Sequence, residues 1–435
     1  MHIVMLGTGY VGLVSGACFS EFGFQVCCVD KNQDKIDNLK NNIMPIYEPG
    51  LESLVIKNKE AGRLTFSNNI DKEIQKADII FIAVGTPTRR GDGHADLTYV
   101  YEAAEKIAKN LNGYTVIVTK STVPVGTGIE VKKIIEKINP NANFDIASNP
   151  EFLREGNAID DFMRPDRVVV GIENNKAKEI ISSIYKPLFL IETPIVYTDL
   201  KTAELIKYSA NAFLAVKISF INQMADLCEK VGADVHDVAR GMGLDKRIGS
   251  KFLHPGPGYG GSCFPKDTKA LAKTSDDFKV NLSLIKNVIR SNGNRNNLIT
   301  QKILKIAKQN NLKKIGFLGV TFKANTDDMR DSSSLFIIPK LLKNNLKISY
   351  YEPTGNKSIL SKYKKIKYCI NQKELITSCD FVIIHSDWDE FKNIDFSKVS
   401  KNKKLSICDL RNLYHPDEFK NKKIKYYSIG RPFHG

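Results

Sequence analysis

The sequence predicts an α/β protein in which two doubly wound parallel sheets flank a helical middle containing one long helix. Three observations carry this. The first 120 residues, and again the stretch after residue 312, alternate short apolar runs with helical patterns, as parallel strands buried on both faces and their crossover helices do. Between residues 197 and 231 the apolar positions instead recur at helical spacing with no Gly or Pro among them. And a chain of 435 residues exceeds what a single hydrophobic core organises.

Taken in order, residues 3–6, 26–29, 79–84 and 116–118 read as strands, with 168–171 as a later one. Ala203, Ile206, Ala210, Phe213 and Leu214, then Ile218, Ile221 and Ala225, mark the central stretch as one helix or two end to end, a connector and a surface suited to a homodimer. Residues 314–319 look like a strand and its turn, 348–351 like a second strand. Residues 381–385 follow Asp380 as 79–84 follow Asp78, and 405–409 close the series. The expected division is 1–196, 197–300 and 301–435.

Hydrophobic residues make up 42% of the chain, and no apolar run reaches the roughly 18 residues of a membrane span. The apolar N-terminus lacks the basic lead and the length of a signal peptide and reads as a first strand. A cytoplasmic protein without membrane association is expected. Eight cysteines lie scattered without paired metal-ligand spacing, so no metal site is expected. Cys27 and Cys28 are neighbours within a strand pattern and point to opposite faces. Most of the thiols should be small buried hydrophobes. The net charge of +16 comes from lysines spread along the chain, densest at 362–367 and 401–425. A nucleic-acid binder is the rival class, recognisable by salt-sensitive affinity. No aromatic-rich basic motif supports it, and the charge reads as a solvated basic face whose field would suit an anionic substrate.

Gly7-Thr8-Gly9-Tyr10-Val11-Gly12 matches G-x-G-x-x-G, directly after a strand and before a helical pattern. Gly7 permits the tight turn, Gly9 lets backbone N–H groups approach a pyrophosphate, and Gly12 lets helix and strand pack closely. The helix N-terminus then faces the phosphates. Asp30 ends the second strand, where its carboxylate would accept the ribose hydroxyls and repel a 2′-phosphate, favouring NAD over NADP; Lys35 lies near enough in sequence to temper that preference. The domains are therefore Rossmann-like.

The most informative segment is Pro255-Gly256-Pro257-Gly258-Tyr259-Gly260-Gly261-Ser262-Cys263-Phe264-Pro265-Lys266-Asp267. Its prolines and glycines exclude regular structure before the cysteine and let backbone approach a ligand. A lysine and an aspartate follow the thiol by three and four residues, and a cation nearby favours the nucleophilic thiolate. A core thiol rarely sits in such a loop.

This segment resembles the nucleophile loop of the UDP-glucose dehydrogenase family, within the wider nucleotide-sugar dehydrogenases. The resemblance runs through nearly the whole chain. It includes the dinucleotide fingerprint, the motifs at 84–88, 120–126, 148–156, 165–167 and 204–213, and Phe322-Lys323 followed by 328–332. It implies an NAD-dependent, four-electron oxidation of a nucleotide sugar through a covalent thioester, with UDP-glucose as substrate; UDP-N-acetylmannosamine or GDP-mannose are the alternatives. By the same resemblance Cys263 is the nucleophile. Lys207 and Asn211, on one helix face, stabilise the oxyanion, and Asp267 works with a water near the thiol. Glu151 is the base for thioester hydrolysis, and Thr122 helps place that water and contacts NAD. Tyr10, Val11, Glu155, Thr86, Asp30, Lys35, Lys266 and Arg330 match cofactor contacts, beside the three glycines. Glu151, Phe152, Leu153, Arg154, Glu155, Lys207, Asn211, Phe252, Leu253, His254, Pro255, Gly256, Gly260 and Lys323 match substrate contacts. Arg247 matches an arginine that reaches the neighbouring subunit's site, and Arg411 a contribution from the last domain.

Overall fold

The computed structural model describes residues 1–89, 91–401, 403–420 and 422–432. They form two compact units: residues 1–210 with 269–281, and residues 211–268 with 282–435. Two helices, Leu200–Val231 and Phe264–Asp277, run from one unit into the other.

The first unit is built on eight strands: β1 (His2–Leu6), β2 (Gln25–Val29), β3 (Leu64–Ser67), β4 (Ile79–Ile82), β5 (Thr115–Thr119), β6 (Phe144–Ser148), β7 (Val168–Ile172) and β8 (Ile195–Thr198). Their order is β3-β2-β1-β4-β5-β6-β7-β8, parallel except where β6 meets β7. Both faces of β1, β2, β4, β5 and β7 are buried, which is why these strands read as continuous apolar runs. Ile3, Met5, Phe81 and Cys28 pack into the core on one face, and Val4, Leu6, Ile80, Ile82 and Cys27 into the core on the other. Cys27 and Cys28 thus point apart as the strand alternation requires.

The second unit holds β9 (Lys314–Leu318), β10 (Lys347–Tyr351), β11 (Ile366–Tyr368), β12 (Phe381–Ile384), β13 (Leu405–Asp409) and β14 (Ile424–Ser428), all parallel, in the order β11-β10-β9-β12-β13-β14. Ile221, Ala225, Ile299 and Ile303, from the helices Leu200–Val231 and Ser283–Gln309, pack with Ile315, Phe317 and Ile383 of this sheet. The central stretch is a single helix of 32 residues. Both sheets show the doubly wound fold, and strands β3, β6, β8, β11 and β14 lie beyond those the apolar runs marked. No helix among the described residues is long and apolar enough to cross a membrane.

Candidate active site

In the first unit, β1 leads through Gly7 into the helix Tyr10–Glu21. A Cβ at Gly12 would collide with the Gly7 carbonyl, so only glycine allows this approach; a Cβ at Gly9 would meet nothing within 4 Å. No side chain caps that helix, and its first N–H groups have no acceptor within it. Asp30 follows β2 and accepts from the Thr8 N–H at 3.1 Å and the Thr8 hydroxyl at 2.7 Å, with Lys35 Nζ 3.6 Å away. Burial pushes its carboxyl up, but the Asn32 and Thr8 hydrogen bonds and Lys35 outweigh it and hold the group below the usual range. The Tyr10 hydroxyl donates to Glu48 and accepts from the Gly156 N–H at 2.9 Å, tying the fingerprint helix to the segment after Glu155. Val11 packs on the core, and the Thr86 hydroxyl donates to the Thr122 carbonyl at 2.9 Å.

After β6 of the same sheet, Glu151 forms a buried ion pair with Lys207 at 3.1 Å. The second oxygen of Glu151 accepts from the Leu153 N–H at 2.6 Å. The Phe152 ring lies under the Arg167 guanidinium at 3.6 Å, with Lys207 Nζ 5.1 Å from its centre. Thr122, Ser148, Pro150, Glu204 and Lys207 line a cavity of about 10 Å³, near the size of one water. Glu155 is buried, while the Arg154 guanidinium turns back onto Asp161.

In the second unit, the run of Pro and Gly forms an irregular loop, and Cys263 stands immediately before the helix Phe264–Asp277. The Cys263 carbonyl accepts from the Asp267 N–H at 2.8 Å, so the thiol sits at the positive end of that helix, a favourable place for a sulfur anion. The residue is half-buried, and its sulfur lies 3.5 Å from the Ser262 hydroxyl. Asp267 is fully buried and accepts from the Asn211 amide and the Lys266 ammonium, each at 2.6 Å. The loop is gripped along its length. Asn222 accepts from the Gly256 N–H, Arg295 donates to the Gly256 carbonyl, and Asn292 bonds both the N–H and the carbonyl of Tyr259. Gly261, at a φ of 81°, faces the Phe322 ring and donates its N–H to the Arg330 carbonyl at 2.8 Å. Gly260 packs on the Asp331 carbonyl. Leu253 and Pro255 are buried, Phe252 rests against Phe264, and His254 is exposed.

Lys207 and Asn211, expected to act as a pair, therefore hold two different carboxylates, Glu151 and Asp267. Arg247 and Arg330 are exposed and bound to their near neighbours Asp245 and Asp328. Arg411 donates to the carbonyls of His385 and Phe322, and Lys323 Nζ lies 5.6 Å from the Phe322 ring. Glu204 and Lys120 are among the buried ionisable groups that the sequence does not single out. Glu204 accepts from the N–H groups of Gly126 and Gly128, and burial raises its carboxyl to about 7. Lys120 is buried among neutral oxygens, and burial lowers its ammonium to about 8. Both fall in the quoted motifs, but a sequence does not show which charged residue of a motif is buried.

Three family models match the chain. The NAD binding domain of the UDP-glucose/GDP-mannose dehydrogenase family covers residues 1–189, its central domain 201–294 and its UDP binding domain 316–416. A UDP-glucose 6-dehydrogenase of Rhizobium meliloti strain 1021 is 50% identical over 436 residues, covering 99% of this chain and all of the relative. One from Bacillus subtilis strain 168 is 47% identical over 99% of this chain and 93% of its own length. The structure of a UDP-glucose dehydrogenase from Pyrobaculum islandicum superposes with a TM-score of 0.89 at 33% identity, covering 98% of this chain and 96% of that one.

Proposed function

Because the chain belongs to the UDP-glucose/GDP-mannose dehydrogenase family, we propose that it oxidises the C6 alcohol of UDP-glucose to the carboxylate of UDP-glucuronate with two NAD reduced per sugar. The observation that carries this reading is Cys263, a half-buried thiol at a helix N-terminus one turn from a buried aspartate. A simple alcohol–aldehyde dehydrogenase has no use for it.

The first unit fits NAD. The space beside Gly9 at the bare helix N-terminus suits a pyrophosphate, and Asp30 is placed for the ribose. When bound, NAD accepts the hydride in each of the two oxidations. The alcohol first loses a hydride and a proton to become the aldehyde. The Cys263 thiolate adds to that carbon, forming a C–S bond as the carbonyl pair moves onto oxygen, and the Lys207 ammonium and Asn211 amide stabilise the alkoxide. Loss of the second hydride restores the carbonyl as a thioester. Glu151 takes a proton from the attacking water, which Thr122 helps place, and the C–S bond breaks to release the carboxylate and the thiolate. Asp267 serves the water beside the thiol. Thr86, Glu155, Lys35, Lys266 and Arg330 take the cofactor, and Phe152, Leu153, Lys323 and the segment 252–256 with Gly260 the sugar nucleotide.

We assign the protein to the cytoplasm as a homodimer. Phe213, Phe220 and Leu227 are exposed by 64%, 40% and 52% and recur every seven residues along one face of the long helix, an apolar stripe suited to a second copy. Arg247 then reaches the partner's site.

A panel of nucleotide sugars with NAD tests the substrate: UDP-glucose should be consumed fastest, with two NADH formed for each. A ratio of one with free aldehyde accumulating overturns the four-electron scheme. Cys263→Ser should lose turnover but keep substrate binding. Glu151→Gln should accumulate an adduct on Cys263, visible by intact-protein mass spectrometry and absent when Cys263 is also replaced.

A further inference from the structure

We propose that Lys120 is the positioning residue for thioester hydrolysis: its buried ammonium clamps Asn149 and thereby sets where Glu151 delivers its carboxylate. The proposal rests on the assignment of Glu151 above.

Lys120 follows β5 directly and is only 3% exposed. Its Nζ donates to the Asn149 side-chain oxygen at 3.0 Å and reaches the Asn149 carbonyl at 3.4 Å and the Tyr185 hydroxyl at 3.5 Å. The rest of Asn149 is equally committed. Its side-chain oxygen also accepts from Tyr185 at 2.5 Å, its amide donates to the Val169 carbonyl at 2.8 Å, and its N–H donates to the Thr119 carbonyl at 2.9 Å. Pro150 follows, with its φ fixed by the ring, and then Glu151. Two residues beyond the clamp, the Glu151 carboxylate is held between Lys207 and the Leu153 N–H. A chain fixed at Asn149 and stiffened at Pro150 leaves Glu151 little freedom but its own rotamers.

Burying an ammonium against neutral oxygens and the rings of Phe81 and Phe162 is costly, and the fold does not demand it. In the second sheet Leu410 occupies the equivalent place: it follows β13 and donates its N–H to Ile384 as Lys120 donates to Ile82. Leu410 is fully buried. A hydrocarbon side chain therefore fills this position in a sheet of the same order. What Lys120 adds is hold on Asn149, and what lies beyond Asn149 is Glu151.

The test mixes Lys120→Met with UDP-glucose and excess NAD, following NADH by rapid kinetics and Cys263 by intact-protein mass spectrometry. The expected result is a near-normal burst of two NADH per site, a steady rate lower by about 10- to 100-fold, as for a displaced catalytic group, and an adduct on Cys263. A burst slowed as much as the steady rate, or no adduct, overturns the proposal. Should the methionine variant not fold, Tyr185→Phe keeps the volume and removes one anchor; a smaller loss with the same adduct is expected, and an unchanged steady rate overturns it. Glu151→Gln separates the two readings. No adduct there overturns the role of Glu151 itself; an adduct there but none in Lys120→Met overturns the role of Lys120 alone.

Discussion

The six strands β3-β2-β1-β4-β5-β6 and the six strands β11-β10-β9-β12-β13-β14 share one order, yet their first turns are built differently. Gly7 and Gly319 are equivalent: each donates its N–H to the last residue of the neighbouring strand, Val29 or Tyr351. After Gly7 a helix begins at Tyr10; after Gly319 the next helix begins at Ser334. The acid after the second strand differs too. Asp30 bonds Thr8 and keeps its side chain 14% exposed. Glu352 is fully buried and collects the Val320 N–H, the Thr321 N–H and the Thr321 hydroxyl. Burial raises the Glu352 carboxyl, whereas Asp30 is held below its usual range. One turn leaves an acid and a helix end available to a dinucleotide, and the other spends its acid on closing itself. Topology alone does not choose a cofactor; the turn does.

The sharpest way to break this contrast uses the glycines. Gly319 has a φ of 77°, and a Cβ there would collide with the Ser386 hydroxyl and approach its backbone nitrogen to 3.3 Å. Gly319→Ala should cost about 3 kcal/mol or more of stability, from strain and overpacking together, and leave NAD affinity of the folded protein unchanged. Gly9 has a φ of −75° and open space around it. Gly9→Ala should stay within about 0.5 kcal/mol of the parent in stability and lose about tenfold or more in NAD affinity, a methyl filling the space proposed for the pyrophosphate. Denaturation and calorimetric titration decide both. A Gly9→Ala protein that binds NAD normally would remove the fingerprint from the cofactor site.

A smaller effect is expected from the acids. Glu352→Met removes the one oxygen on which the Val320 N–H, the Thr321 N–H and the Thr321 hydroxyl converge and should cost about 2 kcal/mol or more of stability without touching NAD. Asp30→Asn turns one of two oxygens that accept from Thr8 and Asn32 into a donor, so it should cost about 1 kcal/mol of stability, weaken NAD about tenfold by loss of a charged hydrogen bond, and narrow the preference over NADP. Catalytic efficiencies with the two cofactors measure this, and equal efficiencies in the unaltered enzyme would remove the role given to Asp30.

These contrasts also mark what the sequence could convey. Strands buried on both faces announce themselves as apolar runs, so β1, β2, β4, β5, β7, β9, β10, β12 and β13 were legible. The edge strands β3, β11 and β14 and the polar-rich β6 were not, because Thr65, Lys367, Lys425 and Asp145 interrupt the pattern that burial on both faces would impose. The Cys263 loop was legible because Gly and Pro crowd a thiol that a core would not place there. Its seat at a helix N-terminus carries a signal too, Pro265 and Asp267 in the first turn, which the crowd of Gly and Pro before the thiol masks. The pairing of Lys207 with Glu151 and of Asn211 with Asp267 depends on residues 56 apart in sequence in each case, and nothing local encodes it.

The smallest expected effect turns the position after β5 into its counterpart after β13. Lys120 and Leu410 are equivalent, and Lys120→Met gives the first sheet a hydrocarbon where the second already has one. In the folded protein burial lowers the Lys120 ammonium from 10.5 to about 8, with Lys207 adding to the lowering and Glu151 opposing it. Between those pH values the unfolded chain holds the proton and the folded chain has released it, so the unfolded state binds more protons and stability rises with pH. The contribution is full above 10.5 and lost as pH falls through 8. Relative to Lys120→Met, the parent should therefore gain about 1 kcal/mol between pH 8 and pH 9, other titrations cancelling in the difference. Urea denaturation of both proteins in matched buffers reads this directly. A constant difference across that range would mean that the ammonium is not desolvated, and the contrast between a charged and a hydrocarbon strand end would lose its energetic basis.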